Sequence, residues 1–158
     1  MARRPLTIQP IPTASRFASL ANLLPRPQWD RLRRAVYRRA GHRCQACGRH
    51  TVLHCHEVWR FNPRTRYQHL GGFQALCPTC HGATHITQTR GRRRHALLRH
   101  YVATNGLQPN AGPAALKDAI RRQQWLDRFS WTIIYGHYNL RTPAAKTSSV
   151  RRCYARRR

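Results

Sequence analysis

Two pairs of cysteines carry the strongest chemical signal in the chain, Cys44-Gln45-Ala46-Cys47 and Cys77-Pro78-Thr79-Cys80. Each Cys-x-x-Cys turn can present two sulfurs to the same ion, and four thiolates together suit tetrahedral Zn(II). The competing arrangement, two disulfides, requires an oxidising compartment, and no secretory signal supports one. The gap from Cys47 to Cys77 is longer than in a plain zinc ribbon, so the intervening segment is expected to have a task of its own. Cys55 reads as a small apolar strand residue and Cys153 as an incidental tail thiol.

That segment is rich in imidazole. It runs Leu53-His54-Cys55-His56-Glu57-Val58-Trp59, and the second knuckle continues through His81-Gly82-Ala83-Thr84-His85. Two histidines four apart share one face of a helix, a spacing suited to a common metal ion. A single histidine is ordinarily a surface or core residue. Here Glu57, the only glutamate of the chain, directly follows a histidine between the two halves of a metal knuckle.

The elements that must position these groups are legible in outline. Pro25 and Pro27 introduce a helix whose apolar stripe is Trp29, Leu32, Val36 and Ala40, with Gly41 as its stop. Thr51 to Trp59 has the composition of a strand. Residues 60–72, with Asn62, Pro63 and Gly71-Gly72, read as a loop, and the second knuckle feeds a short polar helix carrying His81 and His85. Leu97, Leu98, Tyr101 and Val102 predict a further helix stopped by Gly106, and Pro113 opens another with Leu116, Ile120 and Trp125 inward. Trp131 to Tyr138 is strand-like but lacks an evident partner. Trp29, Trp125 and Trp131 fall at apolar periodic positions and are expected in the core.

Charge sets the partner class. Thirty Lys+Arg face four Asp+Glu in 158 residues, a formal net charge of +26, which excludes an ordinary small-molecule enzyme and calls for a polyanion. Arg31, Arg38, Arg39, Arg90, Arg92, Arg93 and Arg94 are the candidate contacts to a nucleic-acid backbone, DNA in the first instance. No apolar run approaches the roughly 20 residues of a membrane helix. A cytoplasmic or nucleoid-associated, non-secreted protein is expected.

The Gly41-His42-Arg43-Cys44 approach to the first knuckle, His56-Glu57, and Cys77-Pro78-Thr79-Cys80-His81 with His85 together resemble the HNH endonuclease family, the zinc-braced ββα-metal nucleases. The resemblance implies an α+β fold: a small ββα-metal core braced by a four-cysteine zinc knuckle, with flanking helices and basic tails. The chain then divides into a basic extended arm (1–25), the nuclease core (26–90), a helical extension (91–140) and a basic tail (141–158). The implied activity is metal-dependent hydrolysis of phosphodiester bonds. His56, His81 and His85 would hold the catalytic ion and Glu57 would be the general base, a place more commonly taken by histidine. A register shifted by one would make His56 the base and Cys55 a ligand.

An imidazole-rich shell favours Mn(II), Ni(II), Co(II) or Zn(II), while phosphate oxygens and water would still allow Mg(II). The family's middle asparagine has Gly72 and Phe73 in its usual place, and Asn62 is given no site role. The alternative from another class is a non-catalytic, zinc-braced nucleic-acid-binding subunit of a nucleoprotein complex, in which a partner supplies specificity.

Overall fold

The computed structural model describes residues 3–136; the expected basic tail at 141–158 and Cys153 lie outside them. Among the described residues the fold is mixed α/β, with five α-helices and a three-stranded sheet: α1 (Leu20–Leu23), α2 (Arg26–Arg39), β1 (His54–Asn62), β2 (Tyr67–Leu76), α3 (Pro78–Thr84), α4 (Gly91–Asn105), α5 (Ala111–Leu126) and β3 (Thr132–Ile134). β1 and β2 form an antiparallel hairpin in which His54 faces Leu76, His56 faces Gln74 and Asn62 faces Tyr67. β3 runs parallel to β2, pairing Tyr67 with Thr132, so the strand that lacked a partner in the sequence finds it on the far side of the hairpin.

The expected loop at 60–72 is instead the end of β1, a tight turn and most of β2. Asn62 explains the difference. Its Oδ1 accepts from the amides of Arg64 (3.0 Å) and Thr65 (3.3 Å), a side-chain substitute for backbone turn bonds. The glycine pair is a bulge rather than a loop: Val58 pairs with Gly72 and Trp59 with Leu70, leaving Gly71 as the extra residue. Gly72 has φ +143°, a conformation open chiefly to glycine.

The arm is fastened across the domain. Leu6 and Asn105 exchange hydrogen bonds of 2.9 Å in both directions, and the Gln9 amide donates to the Thr84 carbonyl at 2.8 Å. The Gln9 side chain bridges the Glu57 carbonyl and the Trp59 amide. Thr13 donates through its amide to Asp127 at the end of α5. The arm thus links α4, α3, β1 and α5, elements distant in sequence.

Two apolar clusters flank the sheet. One gathers Val36, Ala75, Leu76, Ile86 and Leu97 around the buried cysteines. The other centres on Leu20, Trp59 and Tyr135, with Trp29, Phe61 and Ile133 packed against it. Trp125 and Trp131, expected in the core, are only half-buried and pack edge-on with Phe129 beside α5. Among the described residues, no helix is long and apolar enough to cross a membrane.

Candidate functional site

The first knuckle is a turn closed on itself: the Cys44 amide donates to the Arg49 carbonyl and the Gly48 amide to the Cys44 carbonyl. Gln45 clamps that turn to β2, its amide donating to the Ala75 carbonyl and its side-chain oxygen accepting from the Ala75 amide, both at 2.9 Å. Two residues after Ala75 the chain reaches Cys77, which caps α3 by accepting from the Cys80 amide. The clamp therefore brings together cysteine pairs that are 30 residues apart in the sequence.

All four sulfurs lie within 4.8 Å of one another and none is in a disulfide. A tetrahedral ion bound to thiolates at about 2.3 Å sets its sulfurs roughly 3.8 Å apart, and Cys47 Sγ and Cys77 Sγ are separated by 3.8 Å. The electrostatics ask for a cation as well. A hydrogen bond from Cys80 lowers the Cys44 thiol, while the same pairing pushes Cys80 up and burial raises Cys47. One thiolate forms readily and its charge opposes the others, a conflict that a bound metal removes. The cluster is a candidate structural metal site.

His100, on α4, belongs to neither sequence motif, and its Nε2 lies 3.1 Å from Cys80 Sγ. Gly82 permits the approach, since a Cβ there would meet Leu97 at 3.1 Å. A ring N–H directed at a ligating sulfur orients it and disperses its charge. The available signal was a histidine three residues after Leu97, on the apolar side of a predicted helix.

A second group joins β1 to α3. The ring nitrogens of His56, His81 and His85 lie within 4.8 Å of one another, with His56 buried and the others half-buried. Ring centroids are 5.4 Å apart for His56–His81, 5.0 Å for His56–His85 and 4.9 Å for His81–His85. Burial, then the neighbouring rings, pushes His56 down to about 2 and His81 to about 4; burial also lowers His85. The rings are therefore neutral at pH 7 and carry free lone pairs, the state in which imidazole binds metal. Nδ1 of His85 is buried with no hydrogen-bond partner, an atom whose cost a metal ion would offset. His54, the most exposed of the four, places Nδ1 3.0 Å from His81 Nδ1.

Glu57 is not brought to this cluster. Strand alternation turns its carboxylate to the opposite face of β1, where Oε1 accepts from the Leu20 amide at 2.6 Å. Burial raises it to about 7, against opposing bonds from Leu20, Trp59 and Ala21. Its position is that of an acceptor for the first amides of α1. Cys55, the ligand of the shifted register, lies on that same face beside Tyr37.

The arginines named from the sequence lie on two helices. Arg31, Arg38 and Arg39 are exposed on α2; Arg90, Arg92 and Arg93 are exposed at the start of α4, and Arg94 is half-buried there. The first turn of α4 has no acidic residue, so these cations sit against the positive end of the helix dipole. The chain matches no protein-family model, no curated protein and no solved structure with which it was compared.

Proposed function

We propose that the chain is a metal-dependent endonuclease of the HNH type, with β1, β2 and α3 as its ββα-metal core. Cys44, Cys47, Cys77 and Cys80 hold Zn(II), and His56, His81 and His85 hold the catalytic ion. The observation that carries this reading is the convergence of three neutral imidazoles from β1 and from α3 with its C-cap, next to a four-cysteine cluster in which Cys77 and Cys80 at the start of α3 meet Cys44 and Cys47 of the first knuckle. Such an ion would act as a Lewis acid on the scissile phosphate and steady the leaving oxygen.

The remaining steps belong to the side chains. Cationic flanks at the start of α4 and along α2 hold the phosphate backbone and offset developing charge. With Glu57 fastened on the far face, the proton acceptor comes from the imidazole side, where His54 is open to solvent and touches His81.

The placement of Glu57 favours a second reading, a zinc-braced nucleic-acid-binding subunit without catalysis. One experiment separates the two: cleavage of duplex DNA, single-stranded DNA and RNA with Mg(II), Mn(II), Ni(II) or Co(II), with His56→Ala as control. The nuclease reading expects metal-dependent cleavage that falls by on the order of 100-fold or more in His56→Ala, with the four-cysteine metal retained. Binding without cleavage above that control establishes the second reading.

A further inference from the structure

A cleft of about 1040 Å³ opens beside the four-cysteine cluster, and five arginines line it: Arg3, Arg4, Arg39, Arg43 and Arg60. Only Arg39 belongs to the cations considered above. His56, His81 and His85 are not among its lining residues, so it is a site apart from the imidazole cluster.

The cleft contains no acid. The chain has four acidic residues, and each is engaged elsewhere: Asp30 with Arg26 and Arg33, Asp118 with Arg121, Asp127 with Thr13, and Glu57 with Leu20. Five arginines lining one cleft with no carboxylate among the lining residues give it a positive potential that favours an anion.

Local backbone holds the arginines in place. The Arg4 amide donates to the Gln45 carbonyl at 2.8 Å, fixing the arm at the rim. Arg3 lies over Gly48, where a Cβ would meet its Nε at 3.1 Å, and Arg60 lies over Gly71, where a Cβ would meet its Nε at 3.1 Å. The hairpin bulge and the knuckle turn thus each supply a bare backbone surface for one arginine.

The other wall is apolar. Half-buried Val58, Leu70 and Phe73 line it, with buried Tyr135 behind them, so the cleft joins cations to an apolar surface. A duplex keeps its bases stacked inside and offers a groove of this kind only phosphates, whereas a single strand offers phosphates and exposed base faces together. The volume slightly exceeds the roughly 300–1,000 Å³ of small-molecule sites, which suits a short run of nucleotides.

We infer that the arginine cleft binds single-stranded nucleic acid, phosphates on Arg3, Arg4, Arg43 and Arg60 and bases against the Leu70–Phe73 wall. The inference rests on the nucleic-acid reading above but not on cleavage. It is tested in a His56→Ala background without added divalent ion, so loss of catalysis cannot affect the result.

The probes are an oligothymidylate and an oligouridylate of roughly 15 nucleotides and a blunt duplex of the same length. A cleft variant carries Arg3→Gln, Arg4→Gln, Arg43→Gln and Arg60→Gln; a control removes the same charge outside it, at exposed arginines given no contact role, through Arg16→Gln, Arg34→Gln, Arg64→Gln and Arg128→Gln. The cleft variant should lose at least about 30-fold in single-strand affinity and reduce the salt slope by about 3, from roughly 0.7 per phosphate contact. Its duplex affinity should change by less than about 3-fold, and the control should show the smaller single-strand loss. The two oligonucleotides distinguish DNA from RNA as the source of the strand.

Bound metal and the thermal transition report whether the variant folds. Should it not, the parent carries the test through photocross-linking of a thiothymidine-substituted strand, which should label the peptide containing Phe73. Equal single-strand losses in both variants, an unaffected cleft variant, or labelling elsewhere would overturn the inference. Absence of binding to every probe would defeat the nucleic-acid reading itself.

Discussion

The two faces of β1 solve the problem of burying an ionisable group in opposite ways. On one face His56 is 3% exposed and its ring meets those of His81 and His85, and the nearby His85 retains an unpartnered buried nitrogen. On the other, Glu57 is 8% exposed and accepts hydrogen bonds from the start of α1 and from Trp59. Adjacent residues therefore differ in what surrounds them: the Glu57 carboxyl is met by donors from Leu20 and Trp59, whereas His56 faces two other neutral rings and His85 keeps an unpartnered Nδ1. A buried carboxyl that accepts from the start of a helix is a structural device, whereas three converging neutral imidazoles offer the donor set of a metal site.

The first way to break that comparison is to remove the brace beneath the imidazole face. Cys80 is fully buried and shares the sulfur cluster with His100. Cys80→Ser should abolish stoichiometric metal at the four-cysteine site and unfold the hairpin–α3 region, because metal binding of this kind is worth about 10–16 kcal/mol in small zinc domains, against a typical domain stability of about 5–15 kcal/mol. Metal analysis and urea unfolding of the variant check this. A folded, metal-free variant with parental stability would show that the two apolar clusters suffice alone.

How much of this was legible follows from the range of the interactions. The cysteine pairs, the His81–His85 spacing and the helix stops at Gly41 and Gly106 are local patterns; Gly106 indeed ends α4 with φ +62°. The hairpin was hidden because Asn62, Pro63 and Gly71-Gly72 have loop composition, while the actual turn depends on one side chain and the bulge on one extra residue. The β2–β3 pairing and the Leu6–Asn105 exchange, 99 residues apart, have no local signature. His56 and Glu57 stood out together as a motif, yet their separation onto opposite faces depends on where the strand begins and what packs on each side.

A narrower test sharpens the imidazole face by itself. Co(II) titration of the parent should fill a thiolate-rich site first and an imidazole site second, told apart by the intense sulfur-to-metal charge-transfer bands of the first alone. His85→Ala should weaken only the second step, by roughly 10–100-fold or more, and leave the first intact. If both steps weaken together, the clusters act as one unit. If neither does, the three rings do not hold an ion.

The smallest effect on activity, and the most diagnostic of the contrast, belongs to Glu57→Gln. Folding raises the carboxyl from 4.5 to about 7, so between these values the folded state holds a proton that the unfolded state releases. Stability therefore falls as pH rises through that window, by on the order of 3 kcal/mol, and levels off above it. Glutamine keeps an acceptor for the Leu20 amide but cannot ionise. Titration of the imidazoles and thiols is common to both proteins, so the stability difference between variant and parent isolates residue 57. That difference should move in favour of Glu57→Gln as pH rises from 4.5 to 7, measured by urea unfolding across the range, while metal-dependent cleavage stays within about 3-fold of the parent. A pH-independent difference would mean that Glu57 is as well solvated when folded as when unfolded. A folded Glu57→Gln that binds nucleic acid but has lost cleavage would carry Glu57 back into the reaction, and the two faces of β1 would then share one site.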